Sequence, residues 1–93
     1  MELAPRRVQA YSALGFVYAQ MGQLDKAIEA NKKVLELSPN DYISHRNLAL
    51  LYGQLGRLDE ALVEAQKALE LAPEKDKQAL ENFIAQLKRQ KGS

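Results

Sequence analysis

Few residues in this chain have the chemistry for catalysis. His45 is the only imidazole, and cysteine is absent. That removes disulfides, thiolate nucleophiles and every cysteine-based metal site, and it leaves no second histidine to complete a zinc set. A reaction centre would need a nucleophile beside a base, a carboxylate pair in a cleft, or a metal cluster. Only carboxylates remain. They alternate with lysines along two amphipathic segments: Lys26, Glu29, Lys32, Lys33 and Glu36, then Glu60, Glu64, Lys67 and Glu70. Glu29 with Lys33 and Lys32 with Glu36 are four apart, the spacing of ion pairs on a solvated helix face, each worth a few tenths of a kcal/mol. The expectation is a chain that is not an enzyme and has no catalytic residues, no cofactor and no metal. His45 is then a packing residue.

The elements that position these side chains recur. Proline occurs only at Pro5, Pro39 and Pro73, at intervals of 34 residues. Residues 8–41 laid on 42–75 match at 12 of 34 positions without a gap, among them Leu14/Leu48, Tyr18/Tyr52, Gly22/Gly56, Leu24/Leu58, Ala27/Ala61 and Pro39/Pro73. Chance does not produce that, and a fixed period of this length is the signature of a stacked-repeat architecture. Glu2-Leu3-Ala4-Pro5 also matches Glu70-Leu71-Ala72-Pro73. The division expected is therefore 1–7 as the end of a preceding repeat, 8–41 and 42–75 as two repeats, and 76–91 as a closing helix, in a fragment of a longer array.

Each unit reads as two helices around a tight turn. Tyr11, Leu14, Gly15 and Tyr18 fall on one helical face, as do His45, Leu48, Ala49 and Tyr52. Gly22 and Gly56 sit where a left-handed residue ends a helix. Second helices run from about Leu24 to Leu37 and from about Leu58 to Leu71, with Asp25 and Asp59 at the positive end of each macrodipole and a proline beyond each end as the stop. Gly15, Ala27, Ala49, Ala61 and Ala68 beside Tyr18, Tyr52, Leu14 and Leu48 let the helices approach closely. Asn31 interrupts an apolar stripe, so it is expected to bond a neighbour, Tyr11 or His45, or to lie at a partly wet interface. The last segment, about Asp76 to Lys91, puts Leu80, Phe83, Ile84 and Leu87 on one face, after a one-residue slip from the first-helix template. It reads as a cap over the second repeat. No pair buries its faces alone, so stability must come from stacking neighbours in line.

A 34-residue helix–turn–helix unit carrying these residues resembles the tetratricopeptide repeat. The first copy offers Tyr11, Leu14, Gly15, Tyr18, Gly22, Leu24, Ala27 and Pro39; the second offers His45, Leu48, Ala49, Tyr52, Gly56, Leu58, Ala61, Ala68 and Pro73. Asn31, Ala65 and Val34 depart from the family pattern. The resemblance implies an all-α, right-handed superhelix, here of five helices, whose concave groove is lined by first helices and holds an extended peptide or a partner helix. The groove stripe so implied is Gln9, Ser12, Ala13, Phe16 and Gln20, then Ile43, Arg46, Asn47, Leu50 and Gln54. Of these, Gln9, Ser12, Phe16, Gln20, Arg46, Asn47, Leu50 and Gln54 are the candidate binding residues. Phe16 and Leu50 have an equally plain reading as packing between first helices. Ser12 and Phe16 stand where a chaperone-tail clamp would need Lys and Asn, which argues against that ligand.

Composition sets the remaining bounds. Ninety-three residues make one small domain, and 13 basic against 12 acidic groups give a net charge of +1. A nucleic-acid-binding array needs a basic face that this balance does not supply, and no apolar run approaches the ~20 residues of a membrane span. The partner expected is a protein or peptide, not nucleic acid or membrane. A second copy docking on an exposed repeat end, giving a homodimer, is the competing expectation. The sequence leaves the compartment open; the missing cysteines favour a reducing, cytoplasmic one.

Overall fold

The computed structural model describes residues 3–92, with side chains from Arg7 onward. Five helices follow one another among the described residues: α1 (Leu3–Gln20), α2 (Leu24–Leu37), α3 (Tyr42–Gln54), α4 (Leu58–Leu71) and α5 (Glu74–Gly92). α1 packs on α2, α2 on α3, α3 on α4 and α4 on α5, so each element is held mainly by its neighbours in the chain. The molecule measures 48 × 30 × 18 Å, a file of helices rather than a bundle around one centre.

The turns explain why the pairs are antiparallel. Gly22 and Gly56 have φ of 79° and 78°, a conformation open to glycine without a Cβ clash. Around Gly22, the Gly22 N–H donates to the Ala19 carbonyl at 3.1 Å and the Gln23 N–H to the Tyr18 carbonyl at 2.9 Å. Gly56 and Arg57 repeat the pattern on Gly53 and Tyr52, at 3.1 and 2.9 Å. This doubly bonded stop satisfies carbonyls that the ended helix would otherwise leave bare. At the start of α3, the Asp41 carboxylate accepts from the Ser44 N–H at 3.1 Å, a side-chain cap worth about 1 kcal/mol.

Two boundaries differ from the sequence expectation. α1 runs without a break from Leu3 through Pro5, where the proline spacing suggested the end of a preceding repeat. Proline lacks only an N–H that a first turn leaves unbonded anyway, so it opens this helix as readily as it ends the others. Met1 and Glu2 lie outside the described residues. α5 begins at Glu74 rather than about Asp76, directly after Pro73, which follows an extended Ala72.

The core lies between the helix layers. Ala27, Ile28, Leu48, Ala49, Leu51, Tyr52, Ala61, Ala65, Ile84 and Leu87 form one cluster, and Ala68, Ala72 and Leu80 a second where α5 meets α4. Leu48, Leu87 and Val34 are the largest side chains wholly enclosed; each such burial contributes about 1.5–3 kcal/mol. Leu14, expected in the packed face with Leu48, is instead exposed. The ion pairs also shift register: Lys33 meets Glu36 at 3.8 Å, three apart, in place of the four-apart pairs expected on α2. Lys91 near the end of α5 pairs with Asp59 in the first turn of α4, tying the last helix down.

Candidate functional site

α1 and α3 expose large apolar side chains, and the partly buried Phe83 of α5 lies near them. Phe16 on α1 is 67% exposed and Leu50 on α3 42%. They line one pocket of about 160 Å³ together with Gly15, Ala19, Asn31, Asn47, Leu51 and Gln54. That is near the size of a cavity that takes a benzene ring. Leu50 also forms the wall of a second pocket, about 210 Å³, lined by Tyr42, Arg46, Asp76, Ala79, Leu80 and Phe83. The two hollows therefore lie on either side of one leucine, the first between α1 and α3 and the second between α3 and α5.

The polar groups around them are held in place. Asn31 donates from Nδ2 to the Ala27 carbonyl at 2.9 Å, within its own helix, not to Tyr11 or His45 as expected. A Cβ at Gly15 would come within 3.0 Å of that Nδ2, so glycine there makes room for the amide at the floor of the first pocket. In the second pocket Tyr42 donates its hydroxyl to Asp76 Oδ2 at 3.1 Å. Burial pushes the Tyr42 phenol above its usual value, the bond to Asp76 and the Asp76 charge add to the rise, and Arg46 pulls the other way. The Arg46 Nε is buried with no hydrogen-bond partner.

Of the residues expected in a groove, Phe16, Asn47, Leu50 and Gln54 meet in the first pocket, and Arg46 joins Leu50 in the second. Gln9, Ser12 and Gln20 are exposed on α1 and line neither; Ala13 and Ile43 are exposed as well. His45 is buried. Its Nε2 lies 2.9 Å from the Pro39 carbonyl and its Nδ1 2.7 Å from Glu64 Oε1. A carbonyl only accepts, so Nε2 carries a proton, and the ring pins the α2–α3 connection to α4.

Residues 6–74 match the family model described as Tetratricopeptide repeat. The chain belongs to the tetratricopeptide repeat family. Forty solved chains match it. One of them, a structure of a MamA mutant, is 29% identical with a TM-score of 0.79, and the match covers 91% of this chain and 61% of that one. The chain thus spans about three-fifths of that relative's length. No curated protein matches it. Tetratricopeptide repeats mediate protein–protein contacts, and the family is typically a non-enzymatic interaction module. The helical file is the right-handed tetratricopeptide superhelix.

In this tetratricopeptide chain five residues lining the second pocket were not among those expected to bind, Tyr42, Asp76, Ala79, Leu80 and Phe83, nor were Gly15, Ala19, Asn31 and Leu51 of the first. The signal was present. Leu80 and Phe83 stand on a stripe that fits the first-helix template after a one-residue slip, and first helices α1 and α3 line the other pocket. Among the described residues no group of three or more metal-ligating side chains converges, and no helix is long and apolar enough to cross a membrane.

Proposed function

We propose that this chain is a non-enzymatic scaffold that holds a peptide or a partner helix along the face shared by α1, α3 and α5. The observation that carries this reading is the pair of apolar hollows flanking Leu50, with Phe16 beside one and half-buried Arg46 and Asn47 at their edges. A preformed surface of this kind lowers the ordering cost of association, and alternating hollows and amides suit an extended chain or one face of a helix. In this reading 8–41 and 42–75 are the repeats, 76–91 is both cap and third wall, and the partner is protein, not nucleic acid or lipid. A peptide-library pull-down with the wild type, Leu50→Ala, Arg46→Ala and Asn47→Ala tests it. Captured sequences should be lost first with Leu50→Ala. Binders indifferent to all three changes would place the interface elsewhere.

A second reading, self-association, is favoured by the outer face of α1, where Leu14 and Val17 are exposed, with Met21 exposed just past the helix end. Light scattering across a concentration range distinguishes it: a dimer that Leu14→Gln dissolves supports it, and a strict monomer at high concentration removes it.

A further inference from the structure

The second pocket holds an arginine that no ion pair engages. Arg46 and Asp76 are the only ionic side chains lining either hollow. Asp76 already accepts a hydrogen bond from Tyr42. Arg46 takes no part in an ion pair among the described residues, and its Nε–H is enclosed without an acceptor. A guanidinium presents Nε and one Nη as a planar fork that fits the two oxygens of a carboxylate. Here one tine of the fork meets no acceptor. Turning the last dihedrals of Arg46 outward would bring Nε and Nη onto an acceptor and relieve the buried donor in the same movement. Beside that fork lie the apolar walls of Leu50, Ala79, Leu80 and Phe83.

Building on the groove reading above, we infer that the hollow between α3 and α5 selects a peptide with an internal acidic side chain on the same face as a large apolar one. The apolar side chain fills the pocket against Leu50 and Phe83, and the carboxylate pairs with Arg46. In an extended peptide, side chains two residues apart share a face at roughly 7 Å separation. The chain then continues over Leu50, where Asn47 and Gln54 border the first pocket. Because apolar surface continues on both sides of Leu50, the ligand runs through the site and its acid is a side chain rather than a chain end.

The test uses backbone amide chemical shifts of the isotope-labelled chain, titrated with capped peptide pools. Each pool fixes a leucine and, two residues on, glutamate, glutamine or lysine, with the other positions randomised. A fourth pool ends in leucine with a free carboxylate. The glutamate pool should move the amides of Arg46, Leu50, Ala79 and Phe83, half-saturating at roughly tenfold lower concentration than the glutamine pool. That preference should shrink as salt rises. Arg46→Gln should make the two pools equal, and Phe83→Ala should weaken both, with well-dispersed spectra showing that each variant folds. Equal response to glutamate and glutamine pools, or a preference for lysine or for the free terminus, overturns the acidic-peptide inference and leaves the groove reading standing. If no pool moves these amides, both fall.

Discussion

Leu14 and Leu48 hold the same place in their helices, 34 residues apart, yet Leu14 is 43% exposed and Leu48 1%. The next position along the stripe repeats the contrast, with Val17 at 48% and Leu51 at 5%. For Leu14 and Leu48 neither residue type nor helical position accounts for this, since both are matched, and Val17 and Leu51 are matched in position and apolar character. The difference is the neighbour: α2 lies against α3, and no described element lies against the corresponding side of α1. Burial in this fold belongs to a residue's place in the file, as expected where each unit touches only the next.

The largest expected effect follows directly. Leu48→Ala empties a fully enclosed site and should cost about 2–5 kcal/mol, whereas Leu14→Ala should cost under about 1 kcal/mol. Urea denaturation of the two variants checks this; equal losses would mean that the α1 face is covered in solution. Next comes His45, whose counterpart in the first pair is Tyr11. Glu64 corresponds to Ala30 there, so Glu64→Ala gives the second pair the first pair's residue. It leaves a buried imidazole nitrogen without its partner, and a loss of about 1–3 kcal/mol is expected by the same assay.

A smaller effect sharpens the comparison from the other side. Gly15 faces Asn31, and the corresponding residues of the second pair are Ala49 and Ala65. Gly15→Ala alone gains helix propensity but forces the Asn31 amide to yield, so little net change is expected. With Asn31→Ala in place the obstruction is gone, and the same substitution should stabilise by about 1 kcal/mol. A double-mutant cycle reads the coupling; additive effects would show that the close approach carries no energy.

The smallest effect is a titration. The Tyr42 phenol is raised by burial and by Asp76, so the folded chain holds its proton more tightly than the unfolded one. The stabilisation is fully present below the unfolded value near 10 and disappears as pH rises through the folded value. Ultraviolet titration should show one tyrosine ionising late, and Asp76→Asn should bring it forward.

How much of this was legible beforehand follows the same division. α2 and α4 lie where the sequence reading puts the second helices, because glycine turns and prolines are local signals. Local signals also misled: Pro5 was read by analogy with Pro39 and Pro73, although a proline can open a helix as well as follow one. The packed place of Leu14 was inferred from its match to Leu48, and a one-dimensional pattern does not say which faces have a neighbour. Phe16, Asn47, Leu50 and Gln54 were found together because one helical stripe and its copy predict adjacency. Tyr42 and Asp76 were not, since their contact depends on a shorter α4–α5 connection that starts α5 two residues early. The partner of Asn31 was missed because a side chain four residues from a carbonyl on its own helix has a bond at hand that no stripe reveals.

Native-state hydrogen exchange of the wild type at micromolar concentration tests the central claim most directly. If burial is supplied by neighbours in line, amides of α3 and α4, flanked on both sides, should exchange slowest, with α1 protected well below α3 despite its matching sequence. Protection of α1 equal to that of α3 would contradict the account, because it would mean that the two copies are stabilised from within rather than by what stands beside them.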